Sequence, residues 1–240
     1  MGNYGNPRCQ YPYVTVARFC RKHKFGDERV IMRKAWWQIF ALLRQRSRRK
    51  RYLKIRELMK PEHLSGFILD LGGGPASFFA ALFPEQSRVI LVDISYDEVH
   101  VAKRRYPLLS VIVADGKHLP LADRSIDLTV CNSVIEHVDD PKAIAIEIRR
   151  VSRSYFLQTP HGGFPLETHS FIPIPFYSFL PWAWMRRLAC KVFGAHFEYI
   201  QSVRYLSEVE LRHLFSEATL NYESVLGLKK SFYVYYVGMD

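Results

Sequence analysis

Residues 68–76 of the chain read ILDLGGGPA. An apolar run ends in an acid, and three glycines follow it directly. Such a run is typical of a buried strand that leads into a turn, where glycines let the backbone approach a ligand closely. The stretch therefore predicts a nucleotide-binding turn, and it leaves open whether the ligand is a dinucleotide, a triphosphate or a molecule without phosphate.

The residues around the turn discriminate between these three candidate ligands. A P-loop reads GxxxxGK[ST], but no lysine follows these glycines, and a dinucleotide fingerprint would need a third glycine where Ser77 stands. Asp70, just before the glycines, would lie close to a pyrophosphate's negative charge, and it suits a cationic or hydrogen-bond-donating ligand instead. Asp93 ends a second apolar run, about 20 residues on, where an acid accepts hydrogen bonds from ribose hydroxyls. Asp115 follows a third run, where it can accept from an adenine amino group.

Short apolar runs alternate with helical patterns from residue 67 onward. Strands are predicted at 67–71, 88–93, 110–114, 126–131 and 153–158, and helices at 76–83, 95–105 and 141–152. This alternation indicates a parallel sheet covered on both faces. A helix at 207–216 then precedes two strands, at 219–226 and 231–238. The gap between these strands is too short for a crossover, so this last pair must be antiparallel.

Four blocks, in order, resemble the class I S-adenosylmethionine-dependent methyltransferases, close to the type 11 group that includes quinone-biosynthesis enzymes. They are ILDLGGGPA, LVDIS, ADGKHLPLADRSIDLTVCNSVIEHVDDP and the terminal strand pair. The third block, with its D-x-x-x-L-P-x-x-D-x-S-x-D rhythm, is the most specific. The resemblance covers roughly residues 60–240, and Ala76 departs from it where many members carry glycine. It implies a Rossmann-like fold, a seven-stranded mostly parallel sheet with an antiparallel C-terminal strand, and S-adenosyl-L-methionine as methyl donor.

The resemblance also implies the residues at the methionine end of this donor. Asp70 helps to hold that end, whose ammonium and sulfonium groups are both cationic. Gly72 and Gly74 allow the backbone to contact it. Asn132, just past the fourth strand, faces the methionine portion.

The adenosine end is assigned in the same way. Asp93 binds the ribose diol, and Ile94 packs on the adenine. Asp115 and Gly116 border the adenine ring. The chain is therefore expected to bind S-adenosylmethionine through side chains that follow four successive strands.

The acceptor is expected beyond the fifth strand, because ligands of open α/β sheets bind outside the strand carboxyl ends. Residues 161–200 are predicted to form a substrate lid. Methyl transfer is an in-line displacement that depends mostly on alignment, and a base is needed only if the acceptor loses a proton. For a hydroxyl acceptor His161 or His169 is the candidate base, with Glu167 beside them. The alternative is that Glu167 and His169 only fix the loop by hydrogen bonds.

The positive charge is concentrated at the N-terminus. The net charge is +11, and residues 1–60 hold 17 Lys or Arg against 3 Asp or Glu. We interpret 1–60 as a basic helical extension of a domain at 61–240, with one long helix or two over 28–60. Its basic run, RQRSRRKR at 44–51, is either a solvated face or a surface that attracts anionic lipid, together with the apolar, proline-broken segment 171–185.

The remaining features restrict the function class. The four cysteines show neither a CxxC pair nor metal-ligand spacing, so we expect free thiols, no metal and a cytoplasmic protein. Peripheral contact with an anionic membrane is the alternative location. The predicted function is O- or C-methylation of a small, apolar or lipid-linked metabolite. The alternatives are a nucleic-acid methyltransferase that uses the basic helix, and a non-catalytic S-adenosylmethionine-binding protein. The sequence CNSVIEH stands where an amino-methylating nucleic-acid enzyme would carry a proline-aromatic motif. Oligomeric state is left open.

Overall fold

A seven-stranded sheet organises the computed structural model, which describes residues 42, 45–77, 79–83, 85–164 and 204–238. Its strands are β1 (Ile68–Leu71), β2 (Val89–Asp93), β3 (Ser110–Val113), β4 (Ile126–Asn132), β5 (Ser152–Pro160), β6 (Thr219–Val225) and β7 (Leu228–Tyr236). They lie in the order β3-β2-β1-β4-β5-β7-β6. The strands β1 to β5 pair in parallel, and β7 runs antiparallel to both of its neighbours, β5 and β6. The predicted mostly parallel sheet with an antiparallel C-terminal strand is therefore observed.

Three of the described helices begin at a residue whose side chain caps them. The described helices are α1 (45–58), α2 (Pro61–Ser65), α3 (Tyr96–Arg105), α4 (Pro141–Val151) and α5 (Glu208–Leu214). Ser95, Asp140 and Ser207 each accept a backbone hydrogen bond at the start of the helix that follows. These caps stabilise the first turns, whose N–H groups have no partner within the helix.

The core has two parts, one on each face of the sheet. Leu69 and Leu71 of β1 belong to the part beneath α4 and α5. Ile68 belongs to the other part, which α1 and α3 cover. Because side chains alternate along a strand, Asp70 lies on the same face as Ile68. The carboxylate before the glycine turn therefore faces the side of the sheet on which α1 packs.

The C-terminal hairpin confirms the predicted antiparallel pair, although β7 begins three residues before the predicted 231. Leu226 and Gly227, at φ 51° and 78°, join the strands. Two successive left-handed residues make a turn whose twist matches that of the flanking strands. This allows the strands to continue almost to the turn.

Two helix predictions were wrong in detail. The helix predicted at 76–83 is not formed, because the described residues there make a 3-10 turn (Gly74–Ala76) and further turns. Only six residues separate Ser77 from the next proline in the sequence, which leaves room for little more than one turn. The helical prediction over 28–60 extends two residues too far, because α1 ends at 58. Pro61 then begins α2, where its missing N–H costs nothing. The part of the 28–60 prediction before residue 42 lies outside the described residues.

The searches for a membrane span and a metal site bear on the described residues only. Within them, no helix is long and apolar enough to cross a membrane. No group of three or more His, Cys, Asp or Glu side chains is placed to hold a metal ion there either. Cys131 is a buried free thiol. Cys9, Cys20 and Cys190 lie outside the described part of the chain.

Candidate functional site

The glycine turn follows β1 at the carboxyl edge of the sheet. Gly72 donates its N–H to Val92 O at 2.7 Å, which joins the turn to β2. Gly72 and Gly74 have φ values of 69° and 60°, a region that L side chains rarely adopt. A Cβ on Gly72 would also lie 2.5 Å from a methyl group of Val134. The turn therefore requires glycine at position 72 for both conformation and space.

Asp70 fixes the turn from inside the protein. It is 1% exposed, and its Oδ2 accepts hydrogen bonds from the Ser77 hydroxyl and from Phe79 N, the latter at 3.3 Å. Its Oδ1 accepts none from the described residues. Burial raises the pKa of Asp70, while its hydrogen bonds and the nearby Arg48 charge lower it. Its contact with a methionine end stays a prediction, and the observed role is to order the backbone that follows.

Asp93 joins the end of β2 to the glycine turn. Its Oδ2 accepts from Gly74 N at 3.1 Å, and its Oδ1 accepts from Ser95 N at 3.0 Å. Each oxygen keeps a second lone pair for a ligand hydroxyl. Burial raises the pKa of Asp93. The next side chain, Ile94, is 63% exposed, so it is available to cover a flat ring at the position predicted for adenine.

Glu98 is a second buried acid at the turn, and the sequence prediction missed it. Ser95 and Glu98 have capping-box spacing, in which the Glu98 side chain would accept from Ser95 N. Asp93 accepts that N–H instead, and the Glu98 carboxyl lies beside Gly74, with Oε2 3.2 Å from the place of a Cβ there. Glu98 is 5% exposed, and Oε2 has no hydrogen-bond partner among the described residues. Burial, then the charges of Asp93 and Asp97, raise the pKa of Glu98 to about 8.

Asp115 and Gly116 form the turn after β3. Asp115 Oδ1 accepts from Lys117 N at 2.9 Å, and Lys117 Nζ lies 3.7 Å from Asp115 Oδ2. Lys117 Nζ also donates to Asp139 at 3.0 Å. A Cβ on Gly116 would lie 3.2 Å from Ile144, so the backbone is closely packed there. The turn is thus held by its own contacts, at the place where the adenine was predicted.

Asn132 ends β4, and its side chain is held by the N-terminal helix. Arg51 Nη1 donates to Asn132 Oδ1 at 3.0 Å, and Arg51 is 8% exposed. One turn earlier, Arg48 Nη1 donates to Ala76 O at 3.2 Å. Both arginines belong to the basic run at 44–51, which was interpreted from the sequence as solvated or lipid-binding. Each lies four residues before a buried apolar position of α1, Arg48 before Tyr52 and Arg51 before Ile55. This spacing was the signal that they share its inner face.

His161 follows β5, and its ring orientation disfavours a role as base. Its Nδ1 accepts from Gly163 N at 3.1 Å. Burial, then the charge of Lys229, lower the pKa of His161. A neutral ring that accepts at Nδ1 carries its proton on Nε2, so this nitrogen donates. The candidates Glu167 and His169 lie outside the described residues, as does the predicted lid beyond residue 164, and all three catalytic roles stay predictions.

The carboxyl edge of the sheet is acidic around the glycine turn. The groups near the glycine turn are the carboxyls of Asp70, Asp93 and Glu98, and no lysine follows the turn. Phosphate would be repelled by the carboxylates of Asp70 and Asp93, whereas hydroxyl and amino donors would be bound. The arrangement fits an adenosine with a cationic substituent better than a nucleotide with phosphates.

Comparison with known sequences identifies one family. Residues 69–155 match the profile of a family described as "Methyltransferase domain". A malonyl-[acyl-carrier protein] O-methyltransferase from Hamiltonella defensa is 34% identical over 88 residues, which cover 37% of this chain and 34% of that protein. An uncharacterised methyltransferase from Mycobacteroides abscessus is 36% identical over 91 residues, 36% of this chain and 35% of that protein. The match thus spans about a third of the length of these curated relatives.

Solved structures match over more of the chain. A magnesium protoporphyrin IX methyltransferase from Synechocystis, solved with bound S-adenosylhomocysteine, has a TM-score of 0.55 at 14% identity and covers 95% of both chains. A protein from Pyrococcus horikoshii has a TM-score of 0.51 at 18% identity and covers 80% of this chain and 91% of its own. Identities this low establish the fold alone.

Proposed function

The chain carries a methyltransferase domain at residues 69–155, and from this premise we propose that it transfers a methyl group from S-adenosylmethionine to a small-molecule acceptor. The observation that carries the proposal is the Asp93 carboxylate, which links the end of β2 to Gly74 N while keeping lone pairs for a ribose diol. The acids at this edge and the closely approached glycine backbone suit an adenosine whose substituent is cationic.

Different residues of the site bind different parts of S-adenosylmethionine. Asp93 accepts from the ribose hydroxyls, Ile94 covers the adenine, and Asp115 and Gly116 border its edge. Asp70 orders the turn beneath the methionine end. S-adenosylmethionine supplies an electrophilic methyl group on a sulfonium, and the contribution of the chain is to hold that group in line with the acceptor.

The acceptor we propose is small and apolar or linked to a lipid or carrier, and it is methylated at oxygen or carbon. Its support is the apolar composition of residues 171–185, beyond β5. A relative named for O-methylation of malonyl-[acyl-carrier protein] favours oxygen. The nucleic-acid and lipid-surface hypotheses lose part of their basis, since Arg48 and Arg51 of the basic run contact the domain instead of forming an outward face.

Calorimetric titration with S-adenosylhomocysteine tests the donor site. We expect Asp93→Asn to weaken binding by about tenfold or more, because an amide replaces a charged acceptor at the ribose. Asp123→Asn is the control, since the carboxylate of Asp123 is 76% exposed and pairs with Arg150 away from the turn. Absence of S-adenosylhomocysteine binding by the wild-type protein would contradict the proposed function. An Asp93→Asn variant that binds S-adenosylhomocysteine as tightly as the wild type would contradict the assignment of Asp93 to the ribose. Release of S-adenosylhomocysteine with hydroxylated and carrier-linked compounds then identifies the acceptor.

A further inference from the structure

Helix α1 packs on the sheet as part of the domain core. Tyr52, Ile55 and Met59 are 7%, 0% and 4% exposed and belong to the core on the Asp70 side of the sheet. The rings of Tyr52 and Phe79 lie 5.6 Å apart, edge to face. Because Phe79 follows the glycine turn, α1 is held directly against the backbone that the proposed methyl donor would contact.

A network of charged groups fixes the rotation of α1. Arg51 donates to Asn132 and lies 3.5 Å from Glu223 of β6. Lys230 of β7 donates to Glu223 at 2.8 Å and to Ser47 of α1 at 3.0 Å. The side chains of Arg51, Glu223 and Lys230 are 9%, 12% and 14% exposed. Well-shielded contacts of this kind define where Arg48, three residues before Arg51, is placed.

The Arg48 side chain is directed at the glycine turn, and it has N–H donors left for a ligand. One of its five N–H donors is used on Ala76 O. Among the described residues it forms no ion pair. Burial is the main cause that lowers the pKa of Arg48; Asp70 raises it, and the neighbouring charges of Arg51 and Arg105 lower it again. A partly buried cation next to other cations is stabilised by an anion, and a negatively charged ligand group at the turn would supply one.

We propose that Arg48 binds the carboxylate of the amino-acid end of the methyl donor, which makes α1 a wall of the donor site. The inference rests on the proposed function. The amino-acid end carries both a carboxylate and an ammonium group, so it needs a cation as well as acids. The acids come from the sheet edge, and the planar guanidinium supplies two parallel donors for the carboxylate.

The test compares two ligands in calorimetric titrations of the full chain. S-adenosylhomocysteine has the carboxylate, whereas 5′-methylthioadenosine has the same adenosine and thioether but no amino-acid end. We expect Arg48→Ala to weaken S-adenosylhomocysteine binding by about tenfold to a hundredfold, the effect of losing a charge-assisted contact. Binding of 5′-methylthioadenosine should change by less than about twofold. Arg48→Lys, which keeps the charge but not the fork, should lie between.

Arg49→Ala is the matched control, because Arg49 is the next residue on the same helix and is exposed. It should leave both affinities unchanged. Equal weakening of both ligands by Arg48→Ala would overturn the inference, because it would show general damage to the turn, and so would unchanged binding of both. A wild-type chain that binds neither ligand would instead remove the proposed function itself.

Discussion

Replacing Glu98 by glutamine should stabilise the protein, increasingly so as the pH rises. Glu98 is 5% exposed, its Oε2 lacks a hydrogen bond from the described residues, and its pKa is raised from 4.5 to about 8. In the folded protein the carboxyl therefore keeps its proton up to about pH 8. In the unfolded chain it loses the proton near its ordinary pKa.

The sign follows from this difference in proton binding. Between about pH 4.5 and pH 8 the unfolded chain holds fewer protons at this position, so the free energy of unfolding of the wild type falls as the pH rises. Each unit of pKa difference corresponds to about 1.4 kcal/mol, which gives a loss of about 3 kcal/mol at pH 7 and at most about 5 kcal/mol above pH 8. Glutamine imitates the protonated acid and has no such loss.

Urea denaturation at pH 5, 6, 7 and 8 measures the effect. The difference in unfolding free energy between Glu98→Gln and the wild type should grow across the series, and taking the difference cancels the other buried acids, such as Asp70 and Asp93. Glu62→Gln, the same change at an exposed acid of α2, is the control and should show no comparable growth. A difference that stays constant with pH would contradict the raised pKa, since it would show that Glu98 ionises in the folded protein at its ordinary pKa.

Two further predictions concern the turn and the ring of His161. Gly72→Ala should destabilise the protein by about 1–3 kcal/mol more than Gly227→Ala in urea denaturation. Both glycines have positive φ, but a Cβ on Gly72 meets Val134, while one on Gly227 meets nothing within 4 Å; equal losses would contradict this. Nitrogen NMR of His161 at pH 7 should show a neutral ring protonated at Nε2, because Nδ1 accepts from Gly163 N and the pKa is lowered. A ring protonated at Nδ1 would restore His161 as a base.

The sheet was predictable because its signals are local and agree with one another. The first six strands lie within two residues of their predicted ends. The predicted fold is shared with the Synechocystis enzyme, and residues 69–155 match a family described as "Methyltransferase domain". Caps at Ser95 and Ser207 also occur where the sequence indicated helix starts. Each of these features depends on a few neighbouring residues.

The parts that were missed depend on competition between groups that are distant in sequence. Ser207 and Glu210 form a complete capping box, whereas the same spacing at Ser95 and Glu98 does not, because Asp93 takes the N–H that Glu98 would need. Nothing in the local pattern distinguishes the two cases. Arg48 was likewise interpreted from the charge of its neighbours, although its contacts come from the glycine turn across the fold. The residues at the glycine turn that the sequence prediction missed are therefore those whose positions depend on tertiary contacts.

The contacts between α1 and the hairpin have a consequence for the order in which the protein matures. Ser47 and Lys230 are 183 residues apart in the chain, and Arg51 and Glu223 are 172 apart. Contacts of such long range form late, after the segments between them have been organised. On the ribosome, α1 emerges long before its partners on β6 and β7. A nascent chain that lacks the hairpin therefore cannot form the contacts that hold α1 against the sheet. We expect the chain to bind the methyl donor only after the hairpin has been synthesised.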